Sequence, residues 1–161
     1  MPAKPTYIGL LNAIANGERG GHALFTAWSG ATSNKRLKKT LDKVAVREME
    51  HSWAFTKRLS ELGFDLRPSS DKAARKALAK QVALLKSSAS DARKFASFGI
   101  SAKNKKAAKA ADKTKPDQLM MILSDQSIDP TTAALMGRFI AEERDTGRLL
   151  RKAFKTCHKD R

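Results

Sequence analysis

Cysteine and long apolar runs are almost missing from this chain. The one cysteine, Cys157, excludes a disulfide framework and any Cys-x-x-Cys metal knuckle. No apolar run approaches the length of about 18 residues that indicates a membrane span, and the N-terminus lacks the apolar core of a secretory signal. We therefore expect a cytoplasmic protein that makes no membrane contact.

Aromatic and β-branched residues are also scarce. Aromatics make up 6% of the 161 residues, whereas hydrophobic residues reach an ordinary 41%. Ala, Leu, Lys and Arg dominate, and the five prolines fall at possible helix boundaries. This composition predicts an all-α protein, and the length suits a single domain over 1–161. Composition and length do not determine the oligomeric state, for which a dimer is one expectation.

Acidic residues are few, and the excess of basic ones is concentrated. The net charge is +16, and residues 70–116 hold 13 basic and 3 acidic side chains. Within that segment, Lys103–Lys115 carries six lysines and no aromatic residue. Lysines without stacking partners suit phosphate contacts, so non-specific nucleic-acid binding is one interpretation. A solvated basic face is the other.

Apolar spacing and turn residues divide the chain into helices. Pro5, the Gly30–Asn34 turn, Pro68 and the Asp129-Pro130 pair mark boundaries, with Ser33 or Asn34 and then Asp129 as N-caps. The predicted elements are helices at 6–29, 34–63 and 71–98, a basic segment plus short helix at 101–126, and a last helix at 131–157.

Two potential metal ligands interrupt the apolar stripe of the second helix. The apolar residues of this helix are Leu37, Leu41, Val44, Phe55, Leu59 and Leu62. Continuing their spacing through the gap between Val44 and Phe55 places Glu48 and His51 on the buried face. A buried charge is costly unless it has a partner. Glu-x-x-His at i and i+3 is half of a carboxylate-bridged di-metal site in helix bundles. A hydrogen-bonded pair within the core is the alternative.

The first and last helices carry carboxylates in similar positions. Glu18 lies halfway along the stripe of the first helix, and a short turn should bring it to the level of Glu48 and His51. His22, four residues from Glu18, is more consistent with a flanking residue than with a ligand. In the last helix, interpolation between Leu135, Phe139, Leu149 and Ala153 places Glu142 on the stripe, with Asp145 or Thr146 one turn later.

Taken together, Glu18, Glu48-x-x-His51 and Glu142-x-x-Asp145 resemble the ferritin-like superfamily in its rubrerythrin-type branch, over about residues 6–62 and 129–155. The resemblance implies an up-down four-helix bundle with a long crossover, to which this chain adds a basic helix or loop. It also implies a di-iron or di-manganese centre and redox chemistry with oxygen, peroxide or ferrous iron. Glu18 and Glu142 would be terminal ligands, Glu48 a bridging one and His51 the imidazole.

The chain departs from that pattern in two places. Asp145 stands where the second motif has histidine, and residues 70–126 contain no glutamate, which leaves Asp91 as the best substitute ligand on the third helix. Such a site could hold one metal ion, two or none. The cysteine module that full rubrerythrins carry is missing. A structural bundle with a degenerate metal site is a further possibility.

Overall fold

The computed structural model describes residues 5–102 and 127–159. Within these ranges the chain forms five helices and no strand, which confirms the all-α class. They are α1 (Ile8–Ala31), α2 (Lys35–Glu61), α3 (Lys72–Lys86), α4 (Asp91–Ser97) and α5 (Pro130–Lys159). The lysine-rich segment Lys103–Lys115 and the short helix predicted after it lie outside the described residues. None of the described helices is long and apolar enough to cross a membrane.

Helices α1 and α2 form an antiparallel hairpin, as the short turn between them predicts. The Asn34 side chain caps α2 by accepting hydrogen bonds from the backbone N–H groups of Arg36 and Leu37. Such a cap satisfies donors that the first helical turn leaves without partners. Deeper in the hairpin, the Ser52 hydroxyl donates to the Ala15 carbonyl at 2.8 Å. The two helices therefore pack together along most of their length.

The single helix expected over 71–98 is interrupted in the structure. Helix α3 ends at Lys86, and the Ser90 hydroxyl then caps α4 by accepting from the Arg93 backbone N–H. Serine side chains compete with helical backbone hydrogen bonds, so the Ser87-Ser88-Ala89-Ser90 run can end one helix and begin another. The break turns α4 toward the end of α1, where the buried Trp28 indole packs edge-on against Phe95 at 4.7 Å between ring centroids.

Helix α5 runs antiparallel to α2, and its start is fixed by Asp129. As predicted, Asp129 is the N-cap and Pro130 the first helical residue, with the Thr132 N–H donating to Asp129 Oδ1 at 2.9 Å. The same carboxylate accepts from the Tyr7 hydroxyl at 2.6 Å and from Arg58 at 2.9 Å. One residue thereby joins the beginnings of α1 and α5 to the end of α2.

Two apolar clusters fill the core and leave a polar layer between them. One cluster is formed by Trp28, Leu41, Phe95, Phe154 and their neighbours, and the other by Leu11, Phe55, Met136, Phe139 and theirs. The buried side chains of Glu18, Glu48 and His51 fall between the clusters along α1 and α2. The ferritin-like topology with its long crossover stays a prediction, because residues 103–126 lie outside the described ranges.

Candidate metal centre

The polar layer is centred on the imidazole of His51. Its Nδ1 atom lies 3.0 Å from Glu18 Oε2 and 3.7 Å from Glu143 Oε1, and its Nε2 atom lies 2.7 Å from Glu142 Oε2. The ring is buried, with a side-chain exposure of 6%. Three carboxyl groups from two other helices thus surround one imidazole.

Aromatic packing and the α1–α2 hairpin hold the imidazole in place. The Phe139 ring of α5 meets the His51 ring edge-on at 5.0 Å between centroids, and Phe55 meets Phe139 in the same manner. Phe55 lies one turn beyond His51 on the buried stripe of α2. The same helical spacing that buries the histidine therefore also supplies the rings that restrict its movement.

A glycine in α1 gives Glu48 its place beside this cluster. A Cβ atom at Gly21 would lie 2.9 Å from Glu48 Cδ and closer still to its Oε2. Such distances are shorter than real Cβ contacts, so only glycine fits at this position without moving the carboxyl group. Gly21 therefore lets the Glu48 side chain lie flat against the α1 backbone.

Burial and crowding of like charges change the proton affinity of the carboxyl groups. Burial, together with the charges of Glu18 and Glu143, raises the pKa of Glu48 to about 9, although Arg47 opposes the shift. Burial and the Glu18 charge also raise the pKa of Glu143. Two neighbouring carboxylates cannot both be charged in a poorly solvated site without a cation. Glu48 therefore retains its proton at neutral pH when no metal is bound.

Hydrogen bonds shift the pKa values of His51 and Glu142 in the direction that favours their charged forms. Burial favours the neutral imidazole, but hydrogen bonds to Glu18 and Glu142 outweigh it and raise the pKa of His51. Burial likewise opposes ionisation of Glu142, yet hydrogen bonds from His51 and Arg138 lower its pKa. Arg138 Nε lies 3.0 Å from Glu142 Oε1, one helical turn away on α5. Glu142 thus joins the histidine to an arginine near the surface.

Three of these residues are placed to hold one metal ion together. Glu18, His51 and Glu143 each offer a ligand atom, and the three atoms lie within 4.8 Å of one another. Glu143 Oε1 is buried and accepts no hydrogen bond from any residue in the ranges 5–102 and 127–159. A small pocket reaches the other side of His51, where Trp53, with 64% of its surface exposed, and Glu142 form part of the wall.

The structure brings together four of the six residues that the sequence predicts as ligands. Glu18, Glu48 and His51 meet in the cluster, and Glu142 contacts His51 through its second ring nitrogen. Asp145 is not among them: its carboxylate pairs with Arg47 at 3.0 Å and with Arg148 at 3.3 Å.

Two further residues named from the sequence also lie away from the cluster. Asp91, at the start of α4, accepts hydrogen bonds from the Trp28 indole and the Thr32 hydroxyl, each at 2.8 Å. The His22 imidazole bonds to the Ala45 carbonyl at 2.8 Å, in agreement with the flanking role expected for it. Both residues support the packing of α1 against its neighbours.

Sequence reasoning missed Glu143, which takes a place in the cluster. The buried residues of α5 include Thr132, Met136, Ile140, Thr146, Leu150 and Phe154. Their spacing continues through Glu143, whereas Leu135 and Leu149, from which the stripe was interpolated, are only half-buried. A stripe drawn through Met136, Leu150 and Phe154 would have identified Glu143.

Comparisons with known proteins add no relative to this picture. No protein family matches the chain, and neither the curated proteins nor the solved structures contain a match. The cluster itself is therefore the basis for a functional conclusion.

Proposed function

We propose that this chain is a metal-binding helical protein whose centre is formed by Glu18, His51 and Glu143, with Glu48 as an adjoining fourth ligand. The observation that carries the proposal is the convergence of three ligand atoms within 4.8 Å of one another, together with Glu143 Oε1, which is buried and has no hydrogen bond from the described residues. Buried polar atoms rarely lack a partner. A cation between the three side chains would supply one and would offset the repulsion between the carboxylates.

The two nitrogens of His51 have separate roles in this arrangement. Nδ1 faces Glu18 and Glu143, so its lone pair would be directed at the proposed ion once any proton that it shares with Glu18 is released. The Nε2–H group donates to Glu142 at 2.7 Å. Histidine ligands usually donate their second N–H to a carboxylate, which fixes the tautomer and makes the other nitrogen a better ligand. Glu142, held by Arg138, is therefore a positioning residue for His51 and takes no place among the ligands.

The donor set favours iron or manganese. Carboxylate oxygens outnumber imidazole nitrogen, and cysteine is absent from the cluster. Such sets suit Mn²⁺ and Fe²⁺, whereas thiolate-rich sets select softer ions. Binding would displace the proton that Glu48 holds near neutral pH, since metal ligands must be deprotonated. We therefore expect affinity to increase with pH in the range where Glu48 loses its proton.

The resemblance to ferritin-like proteins suggests what the ion does. Bound iron would supply one-electron redox chemistry, which fits an oxidoreductase, peroxide-handling or iron-handling role. The chain contributes burial beside Phe139, an oriented imidazole and, in Glu48, a group that can hold or release a proton. The described residues supply one imidazole to the centre. The second ferritin-like motif would supply another histidine at position 145, but this chain has Asp145 there, and its carboxylate pairs with Arg47. One ion per chain is therefore the stoichiometry that we propose.

Anaerobic titration of the purified chain with ferrous and manganous ions tests this proposal. We expect one ion to bind per chain, and His51→Ala and Glu143→Gln to weaken binding strongly. Loss of the positioning carboxylate in Glu142→Gln should cost about 10-fold to 100-fold in affinity. Glu50→Gln is the matched control, because Glu50 is exposed on α2 outside the cluster. Absence of binding in the parent would overturn the proposal. If the parent binds two ions per chain and His51→Ala or Glu143→Gln loses both, the centre is a di-metal site instead.

A further inference from the structure

A large cavity lies beside the metal cluster between α1, α3 and α5. Its volume is about 1040 Å³, at the upper end of what is usual for small-molecule sites. Gly17, Gly20 and Gly21 form its wall on α1. A Cβ atom at Gly17 would meet no other atom within 4 Å. The cavity therefore exists partly because the residues of this stretch of α1 that face it are glycines.

One end of the cavity is polar and positively charged. Asn12 and Asn16 donate to the Arg67 carbonyl at 3.0 and 2.8 Å, and the Arg67 N–H donates to Asn12 at 2.7 Å. These bonds fix the backbone of Arg67 at the cavity. Arg75 of α3 also lines the cavity, one helical turn before Leu78, which a Cβ atom at Gly20 would contact at 3.3 Å. It therefore lies on the Asn16 side of Gly20, and no ion pair engages either arginine within the described ranges. The nearby Asp71 carboxylate caps α3 by accepting from the Ala74 N–H.

The other end of the cavity is apolar. Leu24, Phe25, Phe98, Ile100 and Leu150 line it, and the exposed Arg151 lies at its edge beside Gly147. The lining residues of α1 run from Asn12 to Phe25, which corresponds to about 20 Å along the helix at about 1.5 Å per residue. The cavity is thus elongated, with a cationic end and an apolar end.

Acidic side chains line the middle of the cavity. Glu48 and Glu143 lie on this wall, beyond the glycines. They offer no positive charge to an anionic group placed at the centre, whereas Arg67 and Arg75 would attract one at the polar end. A guanidinium group suits a carboxylate because it can donate two parallel hydrogen bonds. The distribution of charge therefore selects both the ligand and its direction.

We propose that this cavity binds a long-chain carboxylate of the fatty-acid class. Its carboxylate lies between Arg67 and Arg75, and its hydrocarbon chain passes Gly17 and Gly20 toward Phe25 and Leu150. Binding of this ligand does not depend on the metal ion, because neither arginine belongs to the metal cluster.

Calorimetric titration of the purified full chain with three amphiphiles of equal chain length tests the proposal. Dodecanoate, dodecan-1-ol and dodecyltrimethylammonium, each below its micelle concentration, differ only in the head group. We expect dodecanoate to bind most tightly, the alcohol about tenfold more weakly, and the ammonium compound not at all, because a charged hydrogen bond is worth about tenfold or more in affinity. Equal binding of all three, or binding of none, would overturn the proposal.

Two pairs of variants locate the site. Gly17→Leu places a side chain in the path proposed for the hydrocarbon chain and should weaken dodecanoate binding strongly, whereas Gly9→Leu, on the same helix outside the cavity, should leave it unchanged. Both changes raise helix propensity, and circular dichroism checks that the fold is retained. The double variant Arg67→Gln/Arg75→Gln should weaken dodecanoate but not dodecan-1-ol, and Arg19→Gln/Arg36→Gln is its charge-matched control. If either test variant binds dodecanoate as its control does, the cavity is not the site.

Discussion

Replacement of Gly21 by alanine tests how Glu48 is held in the core. The added methyl group would lie 2.9 Å from Glu48 Cδ and 3.4 Å from its Cγ, so the carboxyl group must move. Glu48 is buried, with 6% of its surface exposed. It borders the large cavity beside α1, so the displaced carboxyl group can move only by leaving its place in the cluster. The matched control is Gly17→Ala on the same helix, where the new methyl group meets nothing within 4 Å.

The two variants should differ in stability. Alanine in a helix interior is more favourable than glycine by about 1 kcal/mol, so Gly17→Ala should gain about that much. Gly21→Ala receives the same gain but also the cost of overpacking, about 1–3 kcal/mol. We therefore expect Gly21→Ala to fall below Gly17→Ala by about 1–3 kcal/mol in free energy of unfolding, or by several degrees in Tm.

Urea denaturation of the two variants in chelator measures this difference. Ferrous titration of the same proteins should show weaker binding in Gly21→Ala only, since its Glu48 carboxyl group is displaced. In a Glu48→Ala background the penalty at Gly21 should disappear, because no carboxyl group remains to collide with the methyl. Equal stability gains in both single variants would refute the reasoning and would show that Glu48 does not lie against α1.

Three further predictions concern other carboxyl groups. In chelator, the free energy of unfolding should decrease as pH rises from the ordinary Glu48 pKa of 4.5 toward about 9, because the folded chain keeps a proton that the unfolded chain has lost. Glu48→Gln should flatten much of this decrease, and an unchanged slope, like that expected of Glu50→Gln, would contradict it. Asp129→Ala removes the α5 cap and should cost about 1–2 kcal/mol at pH 7. Burial opposes ionisation of Asp129, but its hydrogen bonds lower its pKa, so the difference from the parent should shrink as pH falls below 3.8; a constant difference would show that charge plays no part. Asp145→Asn should leave ferrous affinity unchanged, because Arg47 and Arg148 hold that carboxylate outside the cluster, and a loss like that of Glu143→Gln would make it a ligand.

Much of the helical layout and most of the cluster follow from local patterns. Asn34 and Asp129 cap helices where the turn residues predict, and the periodicity of α2 places Glu48 and His51 on the buried face. The antiparallel hairpin then fixes Glu18 opposite His51 by simple counting. These inferences succeed because each depends on one helix or on one short turn.

Other features could not be derived in this way. Adjacent glutamates on α5 differ by about 100° around the helix axis, so an error of one residue in the stripe exchanges the roles of Glu142 and Glu143. The Arg47 side chain that engages Asp145 comes from another helix, and only tertiary packing shows the contact. The break before Asp91 depends on serine side chains that tolerate both helix and turn.

The two tryptophans report on different parts of the molecule. Trp28 is fully buried and donates its indole N–H to Asp91, so its fluorescence should be shielded from iodide until α4 separates from α1. Trp53 is exposed and shares a small pocket with His51. Iodide should therefore quench Trp53 alone in the folded chain. A paramagnetic ion bound near His51 should also dim this residue first, so that one emission spectrum distinguishes occupation of the centre from loss of the fold.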